Sequence, residues 1–405
     1  MKKHRAISLF SGAGGLDLGL EMAGWHMAYA SDCDPNAVKT LRENAGLPIG
    51  GRRKAFNGAF IEQADIRTLT TSDILAKVGL RKGDVPLLAG GPPCQSWSSA
   101  GHQLGFNDPR GRLFDDFVRI ANGLDARWLL LENVRGLLTA RGPDGKPGSA
   151  LAHIRERLLK AGYQTTVELL NAADFGVPQR RVRLFMIGFR AGDTPHFPKP
   201  THAKRSDELP EWVPLSRALA AVKRLNPDEV IRPTAKLAVE LAGVLPGRGV
   251  KSPGKSERTR PSGHWGYKQG AFVADTAQAG RTVTASTAQD WIRDATRGLR
   301  RLCPRECAAI QTFPPEWKFD GNTQAQYRLI GNAVPPLLAK AIGDSMLSDV
   351  RRQGEDAEAA KLDVLLPLSA KLTYHVEYTA REDASNGPSR RAAPSKRTVR
   401  VAVGA

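Results

Sequence analysis

The stretch Ala6-Ile7-Ser8-Leu9-Phe10-Ser11-Gly12-Ala13-Gly14-Gly15 is the strongest indicator of the fold. Its first half is typical of a buried strand, its glycines form a tight turn, and the residues from Leu16 to about Ala23 are typical of a helix. Such a turn lets the backbone approach a ligand and offers the free N–H groups of a helix N-terminus to an anion. The G-x-G-x-x-G pattern is not met, because Asp17 stands at its last position. The stretch therefore predicts a cofactor site, with a plain strand-to-helix turn as the alternative.

Further strands and helices alternate after this turn. We predict strands over residues 27–31, 62–66, 86–89, 128–131 and 182–189. Because helical segments separate them, and one of these opens with Pro35, the pattern predicts a parallel sheet with helices on both faces. Asp32 and Asp65 end the second and third strands, at the sheet edge where such folds bind ligands. For Asp65 a helix N-cap is the alternative.

The composition narrows the class of protein. The 405 residues are 41% hydrophobic and 25% charged, which excludes a mostly disordered chain, a collagen-like fibre and a disulfide scaffold. Four scattered cysteines favour a reducing cytoplasm. No apolar run approaches the ~18 residues of a membrane helix, and the apolar stretch 6–10 is too short for a signal peptide. Lys and Arg number 59 against 41 acids, a net charge of +18 that favours a nucleic-acid partner.

Composition and hydrophobic pattern divide the chain into four segments. Residues 1–190 carry the alternating pattern, whereas 191–280 are rich in Pro, Gly and basic residues. A regular pattern resumes over 281–347, and 348–405 form a C-terminal extension whose end we expect to be disordered. Between residues 248 and 268 there are six Lys or Arg and one acid, with Trp265 and Tyr267 interleaved, which indicates contact with nucleic acid.

A cysteine follows a rigid turn in Gly90-Gly91-Pro92-Pro93-Cys94-Gln95. A buried free cysteine needs no such turn, and the polar loop from Gln95 to Gly111 is long enough to be a mobile lid. A thiolate is a strong nucleophile when its ionisation is assisted. Cys94 is thus a candidate nucleophile, with core packing as the alternative.

Charged residues also end the later strands. Glu132 closes a fully apolar strand, a costly place for a carboxylate unless it is paired or functional, and a raised pKa would let it donate a proton. An ordinary ion pair with a neighbouring Arg is the alternative. Arg181 and Arg183 stand at alternate positions leading into the next strand and should share one face.

Together these motifs resemble the DNA cytosine-5 methyltransferase family of restriction-modification systems. The matching stretches, in the family's order, are Phe10 to Gly15, Pro92 to Gln95, Glu132-Asn133-Val134, Phe175 to Arg183, Arg301 to Glu306 and Gly331 to Pro336. The resemblance covers about residues 4–190 and 281–345. It departs from the family at Cys33, where relatives often carry an aromatic residue, and in the insertion-like run 46–60.

The resemblance implies a Rossmann-like doubly wound mixed sheet, the class I S-adenosylmethionine-dependent methyltransferase fold, with a smaller irregular target-recognition domain at 191–280. It implies methyl transfer from S-adenosylmethionine to C5 of a flipped-out cytosine in double-stranded DNA, through a covalent bond between Cys94 and C6. Glu132 would bind N3 and the amine, Arg183 would pair with the ring carbonyl, and Arg181 would lie near Cys94 or a phosphate. Other expectations are a monomer, no metal, and functional pairing with a restriction endonuclease.

The resemblance also implies the binding residues. For the cofactor they are Phe10, Ser11, Gly12, Ala13, Gly14, Gly15, Leu16, Asp32, Cys33, Asp65, Ile66, Pro93, Leu113, Asn332 and Val334. For DNA they are Gln95, Ser98, Arg248, Lys251, Lys255, Arg258, Arg260 and Lys268.

Three alternatives remain. A tRNA cytosine-5 methyltransferase would share the scaffold, but that group carries Cys-Phe-Thr, and no cysteine here precedes Phe. A catalytically silent DNA-binding relative has no reason to keep Cys94, Glu132 and Arg183 together. A nicotinamide oxidoreductase would give no role to the Pro-Pro-Cys-Gln stretch.

Overall fold

A computed structural model of the chain describes residues 4–93, 113–222, 224–250, 271–353 and 364–386. Its strands are β1 (Arg5–Leu9), β2 (His26–Asp32), β3 (Phe60–Gln63), β4 (Leu87–Gly90), β5 (Trp128–Val134), β6 (Gln164–Asn171), β7 (Val182–Phe189), β8 (Arg248–Gly249), β9 (Phe272–Val273), β10 (Trp291–Asp294) and β11 (Gly298–Arg301). Its α-helices are α1 (Gly15–Ala23), α2 (Pro35–Asn44), α3 (Thr71–Val78), α4 (Leu113–Leu124), α5 (Ser149–Lys160), α6 (Leu215–Ala221), α7 (Ala235–Ala242), α8 (Pro304–Ile310), α9 (Thr323–Asn332), α10 (Pro336–Gln353) and α11 (Ala370–Asn386).

Seven strands form the main sheet, in the order β3-β2-β1-β4-β5-β7-β6. The first five in this order are parallel, whereas β7 runs antiparallel to both β5 and β6. The mixed doubly wound fold implied by the resemblance is therefore confirmed, and the wholly parallel sheet predicted from the alternation is wrong. The reason is local: β6 returns to β7 through a short connection with no crossover helix, and such connections join antiparallel neighbours.

Two sequence predictions of strands need correction. β6 was not predicted, because Gln164-Thr165-Thr166-Val167-Glu168 lacks the apolar run of the inner strands and lies at the sheet edge. The third strand ends at Gln63, not at residue 66, so Asp65 lies in the turn after it. Asp65 is also not a helix N-cap, since Thr70 caps α3 by accepting a hydrogen bond from the backbone N–H of Asp73.

Apolar cores cover both faces of the main sheet. One core joins the sheet to α1, α8, α9 and α10, and the other joins it to α3, α4, α5 and α11. Leu18 and Leu20 of α1 pack in the first core, while Phe117 of α4 and Leu151 of α5 pack in the second. Helices on both faces leave the C-terminal ends of β1, β2, β4 and β5 together at one edge of the sheet.

A second sheet has the order β11-β10-β9-β8 and a small core of Leu241, Val273 and Trp291. Its strands come from both sides of residue 280, so the segment boundary that we predicted there divides this sheet. The strands before that boundary are only two residues long, and they follow none of the alternating patterns that identify longer strands.

The C-terminal extension is partly folded. α10 continues through residue 348 to Gln353, and residues 364–386 pack against the main sheet unit with Leu372 fully buried. Of residues 386–405, which we expected to be disordered, Asn386 ends α11 and residues 387–405 lie outside the described residues. Within the described ranges, no helix combines the length and apolarity that crossing a membrane requires.

Candidate active site

A cleft opens at the sheet edge where β1, β2 and β4 end. Two adjoining cavities lie here, and Pro93 lines both of them. The larger cavity is lined by Leu9, Phe10, Ser31, Asp32, Cys33, Ala64, Asp65, Ile66, Arg67, Pro93 and Leu113. The structure thus brings together many of the predicted cofactor residues, from five separate stretches of sequence.

Asp32 is held by backbone groups at the glycine turn. Its carboxylate accepts hydrogen bonds from the N–H of Gly12 at 2.8 Å and of Asp34 at 2.9 Å. Burial raises the pKa of Asp32, and these two backbone hydrogen bonds oppose that shift. Each oxygen keeps free lone pairs toward the cleft, so the carboxylate can accept further hydroxyl donors.

Asp65 lies across the cleft and carries an ion pair with Arg67. The Arg67 side chain donates to both carboxylate oxygens, and its backbone N–H donates to Oδ1 at 3.0 Å. Hydrogen bonds from Arg67 hold the pKa of Asp65 below its usual value. Asp65 is therefore an ionised acceptor beside Ile66 in the lining of the cleft.

The glycine turn meets the returning chain after α9. A side-chain carbon on Gly15 would lie 2.2 Å from the carbonyl oxygen of Val334, so only glycine fits at this contact. The turn comprises Ser11, Gly12, Ala13 and Gly14, and Leu16 follows in α1. Val334 is buried and Asn332, which ends α9, is exposed. The return segment thus reaches the first strand-to-helix turn, as the resemblance implies.

The Gly-Gly-Pro-Pro turn after β4 is tied to the end of β5. The side-chain amide of Asn133 donates to the carbonyl of Pro92 at 3.2 Å, and Pro92 and Pro93 line a cavity with Glu132. This contact holds the turn, which directly precedes residue 94 in the chain, beside Glu132. The predicted residues Cys94, Gln95 and Ser98 lie outside the described residues.

Glu132 pairs with Arg183 across two antiparallel strands. Val134 lies opposite Arg183, so Arg183 is diagonal to Glu132 on the same face, and its Nε lies 3.2 Å from Glu132 Oε1. Both side chains are mostly buried, at 15% and 13% exposure. Burial raises the pKa of Glu132, while Arg183 first and Arg181 second oppose the shift. The carboxyl therefore holds its proton to a higher pH than an exposed glutamate does.

Arg181 joins distant segments of the chain. Its side chain is 1% exposed and donates to the carbonyls of Val283 at 3.0 Å and Gly331 at 2.7 Å. Proximity of Arg181 to a phosphate, one of its two expected positions, stays a prediction. The other expected neighbour, Cys94, lies outside the described part.

A network missed by sequence reasoning surrounds Arg181. The buried Gln179 side chain accepts from the N–H of Val283 at 2.7 Å and donates to Gln311. Gln311 in turn donates to the carbonyls of Ile330 and Ala333. Gln179 belongs to the stretch that carries the resemblance, which was the available signal. Arg67 was also missed, although it follows Asp65-Ile66 directly.

Few of the predicted DNA residues can be placed. Arg248 lies exposed on β8 of the small sheet, whereas Lys251, Lys255, Arg258, Arg260 and Lys268 lie outside the described residues. Among the described residues no group of three or more His, Cys, Asp or Glu side chains is arranged to hold a metal ion.

Comparisons with known proteins agree with this geometry. A sequence model of the C-5 cytosine-specific DNA methylases matches residues 4–348. The Type II methyltransferase M1.HphI of Haemophilus parahaemolyticus is 32% identical over 84% of this chain and 86% of its own. M.FnuDI of Fusobacterium nucleatum is 32% identical over 84% of this chain and 92% of its own. The solved structure of the Entamoeba histolytica methyltransferase EhMeth has a TM-score of 0.61 at 15% identity, covering 86% of this chain and 99% of its own, and so supports the fold.

Proposed function

The chain belongs to the family of C-5 cytosine-specific DNA methylases, and on this basis we propose how its residues transfer a methyl group to C5 of a flipped-out cytosine. It is a DNA cytosine-5-methyltransferase of the type II class. The observation that carries the proposal is the buried Glu132–Arg183 pair, tied through Asn133 and Pro92 to the turn that precedes Cys94.

The cleft fits S-adenosylmethionine by the chemistry of its donors and acceptors. Asp32 offers carboxylate lone pairs to the ribose hydroxyls, and Asp65 offers them to the adenine amine beside Ile66. The turn from Ser11 to Gly15, with Asn332 and Val334, would hold the methionine part, since helix N-termini favour carboxylates. When bound, the cofactor supplies an electrophilic methyl carbon.

Cys94 makes C5 of cytosine reactive. Its thiolate forms a bond to C6, and the electron pair of the C5–C6 double bond moves to C5, which can then accept the methyl group. Loss of the C5 proton to a base, with water as one candidate, returns the electron pair, and the bond between sulfur and C6 breaks. The thiol is regenerated, so Cys94 acts in every turnover.

Glu132 and Arg183 stabilise the charge that this attack creates. Protonation at N3 by Glu132 avoids a full anion on the ring, and its raised pKa keeps the proton available. Arg183 holds Glu132 and faces the ring carbonyl. Arg181 fixes the return segment against this pair through Val283 and Gly331.

The target base must leave the duplex. None of the reacting atoms of a stacked cytosine is reachable by a side chain at the sheet edge, so the nucleotide is flipped out at a cost of a few kcal/mol. Pocket contacts and phosphate contacts offset that cost. The loop from Gln95 to Gly111 would close over the base, with Gln95 and Ser98 beside the DNA.

Target recognition lies in residues 191–280, next to a catalytic domain formed by 1–190 and 281–347. β10 and β11 complete the small sheet of this region. Arg248 and the basic residues that follow it, from Lys251 to Lys268, would contact phosphates or base edges. Exchange of 191–280 for the segment of a relative with another target should move methylation to the donor's site, read by bisulfite sequencing. An active hybrid that keeps the original target would contradict this assignment.

The biological role that fits best is protection of host DNA from a cognate restriction endonuclease, by a monomer in the bacterial cytoplasm. Bisulfite sequencing of DNA from cells that express the chain tests activity and target together. We expect one short sequence to carry 5-methylcytosine. Unmodified DNA in cells that hold folded protein would contradict the proposal.

A further inference from the structure

Residues 364–386 form a part of the chain to which neither the family match nor the proposed function gives a role. The family match ends at residue 348, yet this segment packs against the core that also holds residues of α5. We call residues 364–386 the C-terminal brace. It begins beside the start of β6, where the Gln164 side chain donates to the carbonyl of Val364 at 2.8 Å and accepts from the N–H of Leu366 at 3.3 Å.

Leu366 and Leu372 of the brace contact buried residues of the fold. Arg155 of α5 is 5% exposed and donates to the carbonyl of Leu366 at 2.5 Å and to Thr165 of β6. Leu372 is fully buried in the same core as Leu137, Leu138 and Ile154. Because apolar burial and satisfied buried donors are both present, this contact is a built interface of the fold.

The far end of the brace reaches the catalytic edge. Val376 packs on Gly148, where a side-chain carbon would lie 2.7 Å from the valine methyl group. Asp383 pairs with Arg141 in the loop before α5. Burial first and the positive charge of Arg135 second lower the pKa of His375. α11 thus lies along the 3-10 helix Arg135–Thr139.

This 3-10 helix follows the Glu132 stretch directly in the chain. Residues 132–134 end β5 and residue 135 begins the helix. Leu137 of the 3-10 helix and Ile154 of α5 also line the cavity that contains Glu132 and Asn133. One layer of apolar side chains therefore separates α11 from the cavity of the catalytic carboxyl.

We propose that the C-terminal brace positions Glu132, by holding the 3-10 helix Arg135–Thr139 and keeping water out of the cavity behind it. The inference rests on the proposed function of Glu132. Leu372 and Val376 are positioning residues, because they act on the carboxyl only through the 3-10 helix. The cofactor cleft is lined mainly by residues at or after the ends of β1, β2 and β3, and neither Leu372 nor Val376 lines it, so brace variants should spare cofactor binding.

The test compares Leu372→Ala with Tyr374→Ala in the full chain. Tyr374 lies two residues away in α11 and is 56% exposed, so its variant is the matched control. We expect Leu372→Ala to lower kcat by about 10- to 100-fold, as a small misplacement of a catalytic group does, with the Kd for S-adenosylmethionine unchanged. Tyr374→Ala should match the wild type. A kcat for Leu372→Ala within twofold of the wild type, or a parallel loss of cofactor affinity, would overturn the proposal.

Two further readouts separate positioning from loss of stability. Water behind Glu132 would lessen the burial that raises its pKa, with Arg183 and Arg181 still facing it, so the alkaline decline of kcat should move to lower pH. Amide hydrogen exchange should speed up at 135–139 and not in β1–β3. If Leu372→Ala shifts neither the pH profile of kcat nor the amide hydrogen exchange at 135–139, the proposal that the brace positions Glu132 is overturned.

A milder variant and two truncations complete the design. If Leu372→Ala does not fold, Val376→Ala takes its place, because it removes fewer atoms. Val376→Ala should lower kcat by a smaller factor and leave the Kd for S-adenosylmethionine unchanged. An unchanged kcat in Val376→Ala would overturn the proposal. Removal of 387–405 should leave kcat unchanged, whereas removal of 364–405 should lower it. A wild-type chain that methylates no DNA would overturn the proposed function and this inference together. Equal kcat values in the wild type and Leu372→Ala would overturn only the proposal that the C-terminal brace positions Glu132.

Discussion

The two halves of the main sheet hold their acids in different ways. In the half formed by β1, β2 and β3, Asp32 accepts from Gly12 and Asp34, and Asp65 accepts from Arg67. Most of these donors lie within two residues of the acid. In the half formed by β4, β5 and β7, Glu132 pairs with Arg183, which is 51 residues away in the chain.

This difference separates binding from catalysis. Local turns set up the cofactor acids as soon as their strands form, so this half should tolerate changes elsewhere in the chain. The catalytic half is assembled by an antiparallel strand, by Arg181 bonded to Val283 and Gly331, and by α11 behind the 3-10 helix. Long-range contacts of this kind hold a carboxyl buried and its pKa raised, which the chemistry requires and a surface turn does not provide.

The largest expected effect falls on the catalytic half alone. Cys94→Ser should abolish methyl transfer and leave cofactor affinity intact, because the expected role of Cys94 is the attack on cytosine and not the binding of the cofactor. It should also fail to form the covalent complex with DNA that contains 5-fluorocytosine, in which C5 has no proton to lose. Denaturing gels and filter binding measure these properties, and turnover near that of the wild type would remove Cys94 from the mechanism.

The next largest effect is expected from substitution of the Glu132 carboxyl. Glu132→Gln should lower kcat by about 10²- to 10⁴-fold, the usual worth of a positioned proton donor, with cofactor affinity unchanged. In the wild type, kcat should decline as pH rises through the raised pKa of Glu132, because the protonated form is the active one. The residual rate of Glu132→Gln should lack that decline, since an amide does not titrate. A pH-rate profile of single-turnover methylation checks both, and identical profiles would contradict the role of Glu132.

One buried acid tests whether the cofactor half is purely local. Glu21 of α1 accepts from the N–H of Phe56 at 2.7 Å, within the insertion 46–60, and burial raises its pKa to about 8. Its folded pKa exceeds its unfolded value of 4.5, so the folded state holds the proton longer. The contribution of this pKa shift to the free energy of unfolding is fully present below pH 4.5 and is lost as pH rises through about 8.

Because glutamine does not titrate, Glu21→Gln should remove this loss of stability at high pH. At pH 9 the free energy of unfolding should exceed that of the wild type by about 5 kcal/mol at most, with little difference at pH 5. Urea unfolding at the two pH values measures it, and Glu43→Gln, an exposed change in α2, is the control. Equal pH dependence in Glu21→Gln and the wild type would show that Glu21 does not titrate in this range.

The smallest expected effects concern the cofactor acids. Asp32→Ala and Asp65→Ala should each weaken S-adenosylmethionine binding by ~1–3 kcal/mol, as loss of a charge-assisted hydrogen bond does. Because the proposed role of both acids is to bind the cofactor, kcat at saturating cofactor should change little. Calorimetry that finds both affinities unchanged would place the cofactor elsewhere and remove the contrast between the two halves.

Residues close together in the chain are enough to specify the parallel part of the sheet, the glycine turn, and the acids at or just after the strand ends. Apolar runs specify β1, β2, β4 and β5, and glycine specifies the turn. The motifs that carry the resemblance also predict that Glu132 and Arg183 share one site, and the two side chains are paired there.

Contacts in the assembled fold set the remaining features. The direction of β7, the enclosure of Arg181, the membership of β10 and β11 in the small sheet and the docking of α11 all join residues far apart in sequence. Local propensity carries no information on which distant surfaces meet, because burial and hydrogen bonding in the assembled core select those pairs. The same contacts bury Glu132 and raise its pKa, so the chemistry of this carboxyl depends on the assembled fold.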